Sequence, residues 1–130
     1  MTLSVDLALI DGIVIATVTG EYRRDAAVKA LGNTFGFLAE NHSKKLLIDA
    51  REMENPPRQI METAGYALAA IEGRKASHAA DVKTAYLFAA EQENESQHLA
   101  ETMADNRGVI ARVFYDYDEA VAWLKNGADA

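Results

Sequence analysis

Three histidines are the residues best suited to acid–base catalysis, since a hydrolytic site needs a nucleophile, a base and an orienting acid that meet in space. His42 falls at the end of a predicted helix, His78 in a polar loop and His98 on another helix. The chain has no Gly-x-Ser-x-Gly segment of the kind that presents a serine nucleophile. The sequence therefore predicts surface histidines and no enzymatic activity.

Glu95 and His98 have the Glu-x-x-His spacing that places two metal ligands on one face of a helix. Sites of that type also need carboxylates from facing helices. The polar residues of this segment read instead as one solvated surface: Gln92, Glu93, Asn94, Glu95, Gln97, His98 and Glu101. We therefore expect no metal and no other cofactor.

Four of the seven arginines follow predicted strands, at the sheet edge where α/β proteins bind ligands. They are Arg23 and Arg24 after the second strand, and Arg51 and Arg58 after the third. Guanidinium groups donate paired hydrogen bonds to an oxyanion, and a helix opening near Pro57 would add unpaired backbone N–H groups. These four are candidate ligands for a small anion or lipid headgroup, with exposed ion pairs to nearby acids as the alternative.

Composition narrows the class of protein. A net charge of −7 over 130 residues disfavours nucleic acid as a ligand. The absence of cysteine removes disulfides and thiol nucleophiles and fits a reducing compartment. No segment approaches the roughly 18 apolar residues of a membrane span. We expect one cytoplasmic domain over residues 1–130, not integral to a membrane.

The elements that position these residues follow from periodicity. Residues 3–9 alternate between apolar and polar, and Asp11-Gly12 predicts a hairpin turn to an antiparallel strand over 13–19. Apolar runs predict further strands at 46–48, 82–89 and 109–114. Helical spacing between and after them predicts parallel βα units, so the fold class is α/β with a mixed five-stranded sheet.

Capping residues mark the predicted helices. Asp25 is a candidate cap for the first, and the third and fourth begin at the capping-box pairs Asn94 with Gln97 and Asp116 with Glu119. The second helix is expected to end before Gly73 and to bury one stripe: Ile60, Ala64, Leu68 and Ile71. In the first helix, Gly32 and Gly36 predict close approach to a neighbouring element, because glycine inside a helix costs about 1 kcal/mol relative to alanine.

The order ββαβαβαβα and the closing segment ARVFYDYDEAVAWL at 111–124 resemble the SpoIIAA-like family of the STAS and CRAL-TRIO fold group. Residues 13–20 and Leu46-Leu47-Ile48-Asp49 support the resemblance. It implies a domain whose helices lie mainly on one face of the sheet, in a family most of whose members have no assigned activity.

The resemblance implies two kinds of function. STAS domains of the anti-sigma-antagonist type bind a partner kinase and are switched by phosphorylation of a Ser or Thr after the third strand, but residues 49–59 contain no hydroxyl. We therefore expect a non-enzymatic interaction or regulatory module without that switch. CRAL-TRIO relatives enclose a lipid in larger domains, and this chain looks too short for a deep apolar cavity. The alternative is a binding protein for a small ligand or lipid headgroup at the arginine edge.

A homodimer is also expected. A sheet covered mainly on one face leaves apolar surface, and the first strand offers an open edge.

Overall fold

A β-hairpin comes first, as the alternating pattern predicts. A computed structural model describes residues 2–56, 60–76 and 81–126. Strand β1 (Ser4–Ile10) pairs antiparallel with β2 (Ile13–Glu21). Asp11 and Gly12 form the turn with φ angles of 53° and 79°, the positive values that a type I′ turn requires.

Three parallel strands complete the sheet: β3 (Lys45–Glu54), β4 (Lys83–Leu87) and β5 (Ala111–Phe114). Their order across the sheet is β1-β2-β3-β4-β5, and every pair after the hairpin is parallel. The predicted α/β class with a mixed five-stranded sheet is confirmed.

β3 is longer than its apolar run. It continues to Glu54, because β2 extends with it and the pairing resumes after a register shift, so that Glu21 lies opposite Glu54. The prediction that Arg51 follows the third strand is therefore wrong, and the strand also includes Asp49. Both residues lie within β3.

Four helices join or follow the strands: α1 (Arg24–Glu40), α2 (Ile60–Ala76), α3 (Glu95–Asn106) and α4 (Tyr117–Lys125). A short 3-10 turn (Ala90–Gln92) precedes α3. Within the ranges that the structure describes, no helix is long and apolar enough to cross a membrane.

The two faces of the sheet bury separate clusters. Val14 and Ala16 of β2 belong to the cluster under α1 and α2, whereas Ile13 packs with Leu47 and Leu124 under α4. α3 lies beside α2 and against β5. Three of the four helices thus cover one face, and the expectation of helices mainly on one face is confirmed. That residues 1–130 form one domain stays a prediction.

The two predicted capping boxes differ in outcome. The Asp116 carboxylate accepts a hydrogen bond from the Glu119 backbone N–H at 3.0 Å, as predicted. Asn94 caps α3 by accepting from the Ser96 backbone N–H at 3.0 Å. The Gln97 side chain packs into a buried network instead of completing the box.

Helices α1 and α2 depart from prediction. Arg23, not Asp25, is the N-cap of α1, and Asp25 lies in the first turn, where a carboxylate favours the helix dipole. α2 does not end before Gly73 but continues to Ala76. Its predicted apolar stripe is only partly buried, because Ile71 is enclosed while Leu68 is 38% exposed.

The glycines of α1 do not approach another element. A Cβ added to Gly32 or Gly36 would meet nothing within 4 Å, so the prediction of close packing there is wrong. Gly20 does require glycine, since its φ is 87° and an added Cβ would lie 2.2 Å from the Thr2 carbonyl oxygen.

Candidate functional site

Two of the four predicted arginines are held by aspartates of their own segments. Arg51 donates from Nε to Asp49 Oδ1 at 3.0 Å and from Nη2 to Oδ2 at 2.9 Å. Arg23 Nε lies 3.7 Å from Asp25 Oδ1. The hydrogen bonds that Arg51 donates to Asp49 raise the pKa of Arg51 above its ordinary value. The Arg23–Asp25 pair matches the alternative interpretation, exposed ion pairs with nearby acids, whereas in the second pair Arg51 is exposed and Asp49 is mostly buried.

The structure does not gather the remaining candidates into a described cluster. Arg24 is the first residue of α1, and Arg58 lies outside the described residues. The Arg51 side chain is 44% exposed and its guanidinium lies 5.6 Å from the centre of the Tyr117 ring. Anion binding at this edge stays a prediction.

Two buried glutamines connect the elements at the carboxyl edge of the sheet. Gln92 Nε2 donates to the carbonyl oxygens of Ala50 and Met53 of β3 at 3.2 and 3.1 Å. Gln97 Nε2 donates to the Gln92 carbonyl at 3.1 Å, and its Oε1 accepts from the Tyr115 hydroxyl at 2.5 Å. Burial raises the pKa of Tyr115 to about 12, which keeps this donor protonated. The backbone carbonyls and side chains in this network are therefore hydrogen-bonded to each other and are not free to bind a ligand at this edge.

His98 lies on the exposed side of α3 between two carboxylates. Its Nδ1 is 3.2 Å from Glu101 Oε1 and its Nε2 is 3.6 Å from Glu93 Oε2. The hydrogen bond to Glu101 raises the pKa of His98 above its ordinary value. These neighbours differ from the Glu95 of the predicted spacing. Among the residues described, no three His, Cys, Asp or Glu side chains are placed to hold a metal ion.

A cavity of about 120 Å³ lies between the sheet and helices α1, α2 and α3. Alanines from all three helices line it: Ala27, Ala30, Ala67, Ala70, Ala100 and Ala104. Alanine side chains are short and do not fill the space between the helices and the sheet. A cavity can therefore form in a domain of this size. At this volume the cavity is small, and the expectation that the chain is too short for a deep, lipid-enclosing cavity stays a prediction.

One buried cation lines this cavity. Arg74 of α2 is 2% exposed. Its Nη2 donates to Thr84 Oγ1 at 2.7 Å, and the guanidinium lies 5.4 Å from the centre of the Phe35 ring. Its Nε–H is buried without a hydrogen-bond partner, and no described carboxylate lies within ion-pair distance. A buried guanidinium is normally paired with an anion.

Two tyrosines also face the cavity. The hydroxyls of Tyr66 and Tyr86 lie 3.2 Å apart, with the rings edge to face. Burial raises the pKa of Tyr66 well above its ordinary value, so this hydroxyl stays protonated at neutral pH. Their mutual hydrogen bond uses one of two O–H protons, which leaves one donor for another acceptor.

The sequence analysis did not predict this cavity or its buried arginine. The sequence feature that could have indicated the cavity is the abundance of alanine in segments such as DAAVKA and YALAAI. Alanine is also the strongest helix former, so this signal does not by itself distinguish a cavity from an ordinary helix.

Comparisons with known proteins bear on the fold. No protein-family model and no curated protein sequence matches the chain. The crystal structure of an anti-sigma factor antagonist from Mycobacterium paratuberculosis superposes with a TM-score of 0.62 and 15% sequence identity, over 96% of each chain. At this identity the likeness establishes the fold. The SpoIIAA-like, STAS-type fold expected from the sequence is confirmed.

Proposed function

We propose that this chain, which has the fold of an anti-sigma factor antagonist, is a non-enzymatic regulatory module that acts by binding a protein partner. The observation that carries the proposal is the structural match across 96% of the chain. The described histidines support it. His98 faces carboxylates and His42 is exposed beyond the end of α1, and neither pairs with a hydroxyl nucleophile among the described residues. His78 lies outside them.

We propose a protein as the partner, and not a nucleic acid, because the net charge of −7 repels phosphate backbones.

We propose the cytoplasm as the location, which agrees with the absence of cysteine.

The binding proposed here needs no phosphorylation between β3 and α2. The stretch from Asp49 to Gln59 contains no Ser or Thr, and its first half lies in β3. The next hydroxyl along the chain is Thr63, within α2. Stoichiometric phosphate on Thr63, with an effect on partner binding, would contradict this part of the proposal.

Calorimetric titration with purified anti-sigma factors from the organism that encodes this chain tests the main proposal. We expect saturable one-to-one binding to one of them, with a Kd of about 1 μM or below. Arg51→Glu reverses a charge near the carboxyl end of β3, and Lys44→Glu reverses one just before its amino end. The two variants are matched because both side chains are exposed and each pairs with an aspartate. Loss of affinity in one variant and not the other would locate the contact.

Two results would contradict the proposal. One is the absence of saturable binding to every anti-sigma factor by a protein that circular dichroism shows to be folded. The other is a hydrolytic or transfer activity that copurifies with the protein and disappears in His98→Ala.

We also propose a homodimer that forms through β1. This strand pairs with β2 on one side only, and Leu9 and Ile10 at its end are 44% and 52% exposed. Light scattering at micromolar concentration should give twice the 14.2 kDa chain mass, and Ile10→Lys should give the single mass. A monomeric wild type would refute the dimer.

A further inference from the structure

We propose that the cavity between the sheet and helices α1, α2 and α3 binds a small apolar monocarboxylate, whose carboxylate pairs with the Arg74 guanidinium. This proposal is independent of the protein partner. It combines a buried charge that has no anionic partner among the described residues with an adjoining apolar space.

The charge is the first part of the argument. Arg74 uses one N–H on Thr84 and leaves its Nε–H without a partner. A carboxylate accepts paired hydrogen bonds from Nε and a terminal nitrogen of arginine. A carboxylate that reaches this buried N–H, after a small rotation of the guanidinium, would satisfy the donor and neutralise the charge together.

The tyrosine pair supplies a second donor. Tyr66 and Tyr86 line the same cavity as Arg74. One of the two tyrosine hydroxyls donates to the other, and the second hydroxyl can donate its proton to a carboxylate oxygen. The cavity thus holds one cation and one neutral donor for an anionic head.

Size and charge set the class of ligand. An apolar cavity of about 150 Å³ holds benzene, so about 120 Å³ suits a compact body of similar or slightly smaller size. The alanine lining makes no polar side-chain contacts with that body. A phosphate or a dicarboxylate would bring a second negative charge, for which the described lining offers no second cation.

Glu101 is the one carboxylate in the described lining, and its oxygens are already engaged. Oε2 accepts from the Val113 backbone N–H at 2.6 Å, and Oε1 lies 3.2 Å from His98 Nδ1. Its negative charge further disfavours a dianionic ligand. The geometry therefore favours a monoanion seated at Arg74.

Calorimetry with matched acids and amides tests the proposal. Wild-type protein is unfolded in urea and refolded to remove any acid that it carries, and is then titrated with benzoate and benzamide and with hexanoate and hexanamide. We expect one acid to bind with a Kd of about 10 μM to 1 mM. Its amide should bind about 30-fold or more weakly, because it leaves the guanidinium without an anion.

Three variants and one control distinguish the anion-binding part of the site at Arg74 from its apolar part. Arg74→Met should lose the preference for acid over amide. Arg74→Lys keeps the charge but not the paired donors, should weaken acid binding about tenfold, and serves if the methionine variant does not fold. Ala70→Leu takes up part of the cavity and should weaken binding of both compounds. Arg107→Met removes an exposed arginine of the segment after α3 and should bind like wild type.

Several outcomes would overturn the proposal. They are equal affinity for acid and amide, unchanged acid binding in the Arg74 variants, or unchanged binding in Ala70→Leu. Absence of binding by both acids up to about 10 mM would overturn it as well.

Discussion

Replacing Ala70 by leucine should stabilise the protein, because the cavity has room for the larger side chain. Ala70 is 2% exposed and lines the cavity. Leucine adds three carbons, each worth about 0.8 kcal/mol when buried, and loses about 0.5–1 kcal/mol of side-chain entropy. Its helix propensity is close to that of alanine. We expect a net gain of about 1.5 kcal/mol in the free energy of unfolding.

The cavity sets an upper bound on that gain. At about 24 cal/mol per Å³, a cavity of about 120 Å³ corresponds to at most about 3 kcal/mol. The expected gain is about half of this bound, since one leucine fills only part of the space and its neighbours relax incompletely.

Ala120 provides the matched control. It lies on the buried face of α4, packs with Leu47, Leu87 and Leu124, and is not among the residues that line the cavity. A leucine there has no space, and overpacking of this kind costs about 1–3 kcal/mol. The same substitution should therefore have opposite signs at the two alanines.

Urea denaturation and thermal melting measure both variants. A gain of about 1.5 kcal/mol in a chain of this length raises Tm by about 5 °C. If Ala70→Leu instead loses stability to the same extent as Ala120→Leu, the space beside Ala70 is not there and the reasoning is refuted.

Three further predictions concern the surface. Gly32→Ala and Gly36→Ala should each raise the free energy of unfolding by about 0.5–1 kcal/mol, since neither added methyl meets another atom; loss of stability in urea melts would contradict this. NMR titration of His98 should give a pKa above its ordinary value, because His98 is hydrogen-bonded to the Glu101 carboxylate of the same helix. The small contribution of His98 to the free energy of unfolding is therefore complete below the pKa of the unfolded state and is lost as the pH rises through the pKa of the folded state. An ordinary or lowered pKa would contradict this prediction. Calorimetry with anionic metabolites should show weaker binding in the Arg51→Ala, Arg58→Ala double variant, and equal affinities would reject the edge site.

The hairpin and the parallel strands could be predicted because each depends on contiguous residues. Asp11-Gly12 determines a turn by its own φ preferences, and Asp116 marks the start of α4 by its own side chain. The extension of β3 could not be predicted in this way. Its second half, from Asp49 to Glu54, is mostly polar and gains its strand structure from pairing with β2.

The cavity and its cation depend on residues far apart in sequence. No single alanine predicts a space, which arises where three helices present small residues to the same part of the sheet. Arg74 follows Gly73 near the predicted end of α2, where a basic residue usually favours the helix dipole from solvent. Its burial becomes evident only when β4 brings Thr84 beneath it.

The Arg74 Nε–H resonance gives the most direct test of the central claim, that a buried guanidinium in this cavity receives a carboxylate. In protein refolded free of acids, this N–H has no hydrogen-bond partner. Saturating benzoate should move the resonance downfield and slow its exchange with solvent, and benzamide should do neither. A resonance that benzoate leaves unchanged, or that is already shifted and protected in the acid-free protein, would contradict the claim.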